Sequence, residues 1–346
     1  MRKKVIFQLG IVIAVTLSVS MAVVVVGGYL VYSWNHLPEG WKNIAEVGDV
    51  HGMALAGNIL YTGGKDGVFR IDVRNGRVLG RLKLSSDPRY VKSLCFDSAD
   101  RLWIAHNEGI ECVTLKKHIH YGLSEGLPSS RVYSIIELKS GMIMAGTDSG
   151  AICFRKGRWE LWHGNSKLLS PMVNVIKEDS SGGLWFGSYS APAGGISCYT
   201  NNGWQYFSTD DKGLPHNNIT SIYELKNGEV WAGCGLYLSG GAVCFAKVDG
   251  VWTKRHTLHK CDGLIGEKVR SVYEDKSGRI WFGSEYDGIS IYTKKKRFKY
   301  ITVKNGLINP EVKCMVIDNG GNAWIGSRRG VTFITMEALQ KCLNRK

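Results

Sequence analysis

Two histidine-containing segments carry the side chains in this sequence best suited to hold a metal ion. His118 and His120 alternate along one predicted strand and so share a face. His256, His259 and Cys261 are also metal-capable residue types, but no fourth ligand accompanies them. The first pair lies on a predicted outer strand, where a solvated edge is the favoured interpretation. The sequence therefore predicts no metal site and no cofactor.

No motif of a known catalytic machinery occurs in the chain. A GxSxG elbow, a P-loop, an HExxH pair and a GxGxxG turn that opens a helix are all missing. Four aspartates recur at predicted turns, and we interpret them as turn-capping groups rather than calcium ligands: Asp97, Asp179, Asp275 and Asp318. A non-catalytic role is therefore expected.

Composition indicates a large, glycine-rich β protein. The chain has 346 residues, of which 44% are hydrophobic, 43 are Gly, 7 are Pro and 11 are Trp. So much glycine with so little proline places the glycines in ordered turns. The net charge of +14 comes from scattered residues. A generic basic surface is the favoured interpretation, and no nucleic-acid partner is expected.

The N-terminal segment predicts a membrane anchor. Residues 5–32 carry no charge and exceed the roughly 20 apolar residues that a bilayer requires. Arg2, Lys3 and Lys4 precede them, and the next basic residue is Lys42. This asymmetry predicts a single-pass transmembrane helix within residues 1–34, with a cytoplasmic N-terminus and an extracytoplasmic remainder. A cleaved signal peptide is the alternative.

A pattern of turn, key residue and glycine occurs seven times between residues 41 and 335, and the key residue is aromatic in six repeats and Met in one. Its key position recurs every 41 to 50 residues. That period is typical of four-stranded propeller blades, so the sequence predicts an all-β, seven-bladed β-propeller. The tryptophans are expected to pack blade against blade, not to stack on a ligand. The key residues are Tyr61, Trp103, Met144, Trp185, Trp231, Trp281 and Trp324.

The two ends of the repeat array fit a closed ring. The last repeat lacks a fourth strand, whereas residues 41–47 precede the first repeat and resemble the outer strands. We therefore expect this N-terminal segment to pair with residues 331–334 and close the ring. Residues 336–346 are expected to form a short helical tail.

The nine cysteines do not predict a disulfide framework. Their number is odd, no CxxC occurs, and four of them share one repeat position. Equivalent positions on neighbouring blades are too far apart to be bridged. They are expected to be small core residues: Cys112, Cys153, Cys198 and Cys244.

Three repeats carry a recognisable consensus. They are "GLPSSRVYSIIELKSGMIMAGTDSG" (126–150), "GLPHNNITSIYELKNGEVWAG" (213–233) and "GLIGEKVRSVYEDKSGRIWFGS" (263–284). In each, a Gly-Leu lead, a V-x-S-type strand, a turn with glycine and a repeated aromatic or Met position follow in order. The sequence resembles the two-component regulator propeller repeats, which form the extracytoplasmic ligand-binding region of bacterial hybrid sensor kinases.

The resemblance implies a sensor-like module. Kinase-associated members carry two such rings, a further β domain and a histidine kinase, whereas this sequence shows one ring. Signalling would therefore run through a separate membrane or secretion partner. The family supplies no catalytic motif that could be transferred to this chain.

Two adjacent repeats are longer between their second and third strands. Trp185 to Gly195 and Trp231 to Gly241 each span ten residues, against six or seven elsewhere. The inserts at 189–195 and 235–241 are expected to form an aromatic lip on one mouth of the ring, although neutral variation in loop length is the favoured alternative. The predicted ligand-binding residues are Tyr189, Tyr237, Leu238, Asp210, Asp211, His216 and Asn217.

The leading hypothesis is a membrane-anchored extracytoplasmic module that binds a small molecule, glycan or peptide. The alternative is a lyase that resembles streptogramin B lyase, another seven-bladed propeller, and that needs a divalent metal. His and Glu residues do not cluster at equivalent loops as such a lyase would require. A quinoprotein-like cofactor propeller lacks support for the same reason.

Overall fold

The computed structural model describes residues 37–293, 295 and 297–344, and residues 40–344 within it form one compact unit. This unit contains seven antiparallel sheets of four strands each. The innermost strand of every sheet contacts the innermost strands of the two neighbouring sheets. Seven sheets in a closed cycle form a seven-bladed propeller, as the repeat period predicts.

The blades succeed one another along the chain. Blade 1 comprises β2 (Val50–Ala56), β3 (Ile59–Gly64), β4 (Gly67–Asp72) and β5 (Arg77–Arg81). Blade 2 comprises β6 (Ser93–Phe96), β7 (Leu102–His106), β8 (Gly109–Val113) and β9 (His118–Tyr121). Blade 3 comprises β10 (Val132–Glu137), β11 (Ile143–Thr147), β12 (Gly150–Arg155) and β13 (Arg158–Leu161). Blade 4 comprises β14 (Val173–Glu178), β15 (Leu184–Ser188), β16 (Ile196–Thr200) and β17 (Gly203–Phe207).

The remaining blades have the same plan. Blade 5 comprises β18 (Ile219–Glu224), β19 (Val230–Leu236), β20 (Ser239–Val248) and β21 (Val251–Leu258). Blade 6 comprises β22 (Val269–Glu274), β23 (Ile280–Ser284), β24 (Ile289–Tyr292) and β25 (Phe298–Ile301). Blade 7 comprises β26 (Val312–Ile317), β27 (Ala323–Ser327), β28 (Gly330–Ile334) and, from the other end of the unit, β1 (Trp41–Ile44). Short 3-10 helices cover Leu123–Glu125, Asn165–Lys167, Lys260–Asp262 and Val303–Asn305.

Strand β1 completes the last blade. It runs antiparallel to β28, with Trp41 opposite Ile334 and Ile44 opposite Val331. The pairing is four residues long and ends before Ala45, so it is shorter than the predicted segment 41–47. Because β1 is the outer strand of blade 7, the first and last strands of the ring lie in one sheet, and the ring closes by backbone hydrogen bonds.

The repeated tryptophans join each blade to its own turn. Each lies on the second strand and is almost fully buried. In four blades its indole N–H donates to the aspartate six residues earlier, which also accepts backbone N–H groups of the turn. A single carboxylate thus caps the turn and satisfies a buried indole donor. The Trp-to-Asp distances are 2.7 Å for Trp103–Asp97, 3.0 Å for Trp185–Asp179, 2.9 Å for Trp281–Asp275 and 2.9 Å for Trp324–Asp318.

Two blades have leucine in place of the aspartate. In blade 3, Leu138 takes its place and the key residue is Met144, which has no donor to satisfy. In blade 5, Leu225 takes its place beside Trp231, whose buried indole nitrogen has no hydrogen-bond partner. Trp231 instead packs edge-on against His256 and Phe282. The hydrogen bond is therefore a separate stabilising contribution on top of aromatic packing.

The four cysteines at the shared repeat position are core residues. All nine cysteines are free, and the four at the shared position are buried on the third strand opposite the key residue. Burial raises the pKa of Cys198 and of Cys244 to about 12. They fill space beside the tryptophans as small apolar side chains.

A helix comes after the last strand. Helix α1 (Met336–Asn344) buries Ala338, Leu339 and Leu343 in the core cluster that contains Trp41. The Thr335 N–H donates to the Gly40 carbonyl at 2.8 Å, which ties the start of α1 to the chain just before β1. The helix therefore covers the closing strand.

Within the described residues no helix has the length and apolarity needed to cross a bilayer. The transmembrane helix predicted for residues 5–32 lies outside the described part of the chain.

Candidate functional site

Equivalent residues of all seven blades meet in a central channel. A buried Val or Ile lies at the start of each innermost strand or just before it, and the residue that follows this Val or Ile faces the ring axis. These seven residues, together with Met172 and Tyr189, line a cavity of about 370 Å³. We call them the channel ring: His51, Lys92, Tyr133, Asn174, Thr220, Arg270 and Lys313.

One side of the channel ring carries an alternating series of charges. Lys313 Nζ lies 2.6 Å from Asp49 Oδ1 and 3.6 Å from Glu311 Oε1. Arg270 reaches the same Glu311 carboxylate at 3.5 Å. His51 Nε2 lies 3.2 Å from Asp49 Oδ2. Each acid in this stretch therefore contacts at least two basic side chains.

The series continues to the loop at 189–195. Arg270 also lies 3.6 Å from Glu285, which forms an ion pair with Lys268. The ammonium of Lys268, on a side chain only 4% exposed, donates to the Tyr189 hydroxyl at 3.1 Å. The loop of blade 4 is thus linked to the charged wall formed by blades 6 and 7.

Lys92 belongs to the same wall but has no counterion. Its ammonium lies 5.9 Å from the centre of the Tyr90 ring, and no carboxylate of the described residues lies within ion-pair distance. Burial and, to a lesser extent, repulsion from Lys313 and Arg270 lower the pKa of Lys92, and attraction by Asp49 opposes this shift. Lys92 is therefore a channel cation that forms no direct ion pair with the described residues.

The ion pairs shift the acid–base chemistry of the wall. Burial raises the pKa of Asp49, but hydrogen bonds from His51 and Lys313 outweigh this and hold it at about 2. Burial lowers the pKa of His51; the contact with Asp49 opposes this, while Lys313 and Lys92 add to it. Near neutral pH the wall therefore holds an ionised Asp49 and a neutral His51.

The opposite side of the channel ring is uncharged. The Asn174 amide donates to the Ile219 carbonyl at 2.8 Å, and the Thr220 hydroxyl donates to the Val269 carbonyl. These bonds join the innermost strands of neighbouring blades. The polar side chains here are engaged by the protein, whereas Lys92 on the other side is not.

The sequence analysis overlooked the channel ring, although its position was visible. The family consensus contains a V-x-S strand, and the variable residue x is the channel-ring residue. The repeat pattern does not reveal this position, because its residue type varies from blade to blade and only lysine occurs twice.

Of the seven predicted ligand-binding residues, Tyr189 lines the cavity. The buried Asn217 amide instead donates to the Pro192 carbonyl at 2.7 Å and accepts from the Thr209 N–H at 2.8 Å. His216 Nδ1 accepts the Asn218 N–H at 2.9 Å, and Asp211 accepts the Gly213 N–H at 2.7 Å. These three side chains therefore hold the loops of blades 4 and 5 in place.

The other predicted residues lie apart from the cavity lining. Asp210 is exposed, and Tyr237 and Leu238 are 70% and 80% exposed. The segment 235–241, predicted as a loop, is mostly strand, because β19 and β20 extend to a tight turn at residues 237 and 238. The lengthened loop at 189–195 is present as predicted, whereas the second insert lengthens a hairpin.

The first of the two histidine segments considered for metal binding differs from its favoured interpretation. His120 is not a solvated edge residue: it faces the buried Glu111 at 3.4 Å and the His106 ring, while His118 is exposed. His106, Glu111 and His120 form the one metal-capable group in the described ranges, and their ligand atoms lie within 4.8 Å of one another. The Glu108 N–H donates to His106 Nδ1 at 3.2 Å, so the proton of the neutral ring lies on Nε2.

That arrangement gives Glu111 a structural role. Its carboxylate accepts hydrogen bonds from the Ser85 hydroxyl and from both the N–H and the hydroxyl of Ser86. It thereby fixes the connection between blades 1 and 2. The second segment does not converge at all: His259 contacts the Gly240 carbonyl, His256 packs on Trp231, and Cys261 is exposed.

The family resemblance is confirmed at two repeats. Residues 213–235 and 263–286 match the model of the two-component regulator propeller family. Both segments lie among the three that carry the consensus in the sequence. No curated protein matches the chain.

Solved structures share the fold. The extracellular domain described as that of a hybrid two-component system, BT3049 of B. thetaiotaomicron, aligns with a TM-score of 0.75 at 23% identity. The alignment covers 88% of this chain and 42% of that one, so the chain spans less than half of that domain. Virginiamycin B lyase from Staphylococcus aureus aligns with a TM-score of 0.64 at 15% identity, over 85% of this chain and 98% of the enzyme.

Proposed function

We propose that this chain, which carries repeats of the two-component regulator propeller family, is a membrane-anchored, extracytoplasmic binding module whose ligand enters the central channel. The supporting observation is the cavity of about 370 Å³, into which all seven blades direct one side chain. Its volume falls in the usual range of small-molecule sites. A module of this kind acts by binding and signals through a separate membrane or secretion protein.

The ligand enters beside the loop at 189–195. Tyr189 borders the cavity and is joined to the charged wall through Lys268. Asn217 and Asn218 hold the loop by bonds to Pro192 and Ala191. A loop fixed in this way presents a preformed lip, and preformed lips lower the entropic cost of binding.

The site is tested by filling the channel. Met172 lines the cavity and its side chain makes no hydrogen bond in the structure, so Met172→Trp adds bulk without removing a polar contact. A ligand-observed NMR screen of neutral and charged fragments on the full chain should yield binders that this variant loses. The matched control, Leu238→Ser at the exposed hairpin tip, should retain them. Fragments that bind both variants equally would contradict a channel site.

The anchor and the location are tested together. The charge-free segment 5–32 with basic residues before it predicts a cytoplasmic N-terminus and an outside propeller. A C-terminal alkaline phosphatase fusion should be active, and the protein should stay in the membrane fraction after high-salt washing. A fusion active only as a cytoplasmic reporter would refute the location.

An assay of enzymatic activity distinguishes the lyase hypothesis from the binding module. The observations that favour it are the fold likeness to virginiamycin B lyase, the presence of His51 in the channel lining and the position of Glu311 beside Arg270 and Lys313. Both side chains are engaged with Lys313 or Arg270. We expect no linearisation of the cyclic depsipeptide quinupristin with added Mg²⁺. Measurable linearisation would contradict the binding module and would show that the protein is an enzyme.

A further inference from the structure

We propose that the channel ring recognises an anionic group on its ligand, and that Lys92 is the residue that binds it. This inference rests on the channel being the binding site. Its basis is the pairing of the charges of the wall, the location of the one unpaired charge and the space that the cavity leaves open beside it.

The acids of the wall are already occupied. Asp49 contacts Lys313, Glu311 contacts both Lys313 and Arg270, and Glu285 pairs with Lys268 and contacts Arg270. Three acids thus face four cations when Lys92 is included. One positive charge remains inside the channel mouth, and its position is Lys92.

Leaving that charge without a partner is unfavourable. Lys92 is partly buried, and Lys313 and Arg270 both act on it as like charges. Asp49 attracts Lys92 but already forms an ion pair with Lys313. A charged group withdrawn from water needs a counter-charge or hydrogen bonds to offset the loss of hydration. A lysine ammonium brings three donors and no acceptor, so the missing partner is an acceptor, and an anionic oxygen satisfies both needs.

The cavity has room for that anion beside Lys92. Across from Lys92, the side chains of Asn174 and Thr220 are bound to backbone carbonyls. The nearby aromatic ring, that of Tyr90, offers only a face at 5.9 Å. Carboxylates and sulfate esters share the required chemistry, and the experiment distinguishes them.

The test uses three small probes. Succinate supplies carboxylates, sulfate supplies a non-carboxylate oxyanion, and succinamide is the uncharged counterpart of succinate. Binding to the full chain is measured by isothermal titration calorimetry at constant ionic strength. Binding of succinate, of sulfate or of both, with no binding of succinamide, supports the inference and identifies the preferred anion.

Variants assign the binding to Lys92. Lys92→Met should lower the affinity for the anion about 10- to 100-fold, which is the range expected for the loss of one hydrogen bond to a charged group. Lys92→Arg should restore most of the affinity. Lys65→Met, at an exposed lysine of the β3–β4 loop, should bind as the wild type does. Because Lys92 has no ion pair to lose, Lys92→Met should fold normally, which its melting curve checks.

Three results overturn the inference: neither anion binds, succinamide binds as well as succinate, or Lys92→Met binds like the wild type. The proposed function fails in a different way. If neutral fragments bind and Met172→Trp removes them, the channel remains the site and only its preference for anions is wrong. If no fragment responds to Met172→Trp, the channel itself is excluded.

Discussion

Removing one turn aspartate should expose how much the Trp–Asp bond contributes to the propeller. Asp275 has a side chain only 4% exposed and accepts from the Trp281 indole at 2.9 Å, the Ser277 N–H at 2.9 Å and the Arg279 N–H at 3.0 Å. Arg279 also donates to it through Nε. In Asp275→Ala all four donors lose their acceptor.

The cost can be worked donor by donor. The Trp281 indole is 1% exposed and cannot find water, so it contributes about 1–3 kcal/mol. The two turn amides contribute about 1 kcal/mol each, because the turn is partly open to solvent. The guanidinium of Arg279 is 22% exposed and regains water. The total is about 3–5 kcal/mol.

Chemical denaturation measures this free energy directly, and thermal unfolding gives a second readout. The entropy of unfolding is roughly 2.1 cal/mol/K per residue, so over residues 40–344 a loss of 1 kcal/mol of stability lowers the melting temperature by about 1.6 °C. Asp275→Ala should therefore lower the melting temperature by about 5–8 °C. The double variant Asp275→Ala/Trp281→Phe should be less destabilised than the sum of its parts by at least about 1 kcal/mol, because phenylalanine leaves no orphan donor.

Blade 5 supplies the opposite experiment. Trp231 already lacks a partner because Leu225 holds the aspartate position, so Leu225→Asp should stabilise the protein or leave its stability unchanged. An Asp275→Ala variant within about 1 kcal/mol of the wild type, or strictly additive single variants, would show that the indole bond contributes little and would refute the reasoning.

Three further predictions concern closure, protonation and thiols. Deleting residues 40–47 removes β1 and should abolish the cooperative unfolding transition seen by calorimetry; a truncated protein with an unchanged melting temperature would contradict closure. Burial, Lys313 and Lys92 lower the pKa of His51, and a bound anion raises this pKa again. Anion binding is therefore coupled to proton uptake, and the affinity for sulfate should rise as the pH falls from 7.5 to 6. A sulfate affinity that does not change with pH, or the same pH dependence in His51→Asn, would disprove the coupling. Cys261 is exposed, so DTNB should label it first in the native protein; faster reaction elsewhere would refute the assigned burial.

The architecture was predictable because it rests on repetition. The recurring key positions predicted the number of blades, and the missing last strand predicted the closing partner within residues 41–47, of which residues 41–44 form the strand. The Trp–Asp hydrogen bond was not predicted, although both residues were recognised. They are separated by a turn, and the pattern alone assigns each a role of its own: the aspartate caps, and the tryptophan packs.

The candidate site was only partly predictable because it depends on what does not repeat. Lys92 and Lys313 occupy the variable position of a recurring strand, and only the closed ring brings that position from seven blades into one cavity. The glycine-rich segment 235–241 indicated a loop. Its glycines instead pair across β19 and β20, since glycine adopts backbone conformations closed to other residues.

The most direct test of the channel as an anion-binding site is a crystal structure of the protein soaked in selenate, an isostere of sulfate whose selenium scatters anomalously. The account predicts an anomalous peak inside the ring, with a selenate oxygen within hydrogen-bonding distance, about 3 Å, of Lys92 Nζ. Peaks confined to the outer surface or to the turns on the opposite face, with none inside the channel, would contradict it.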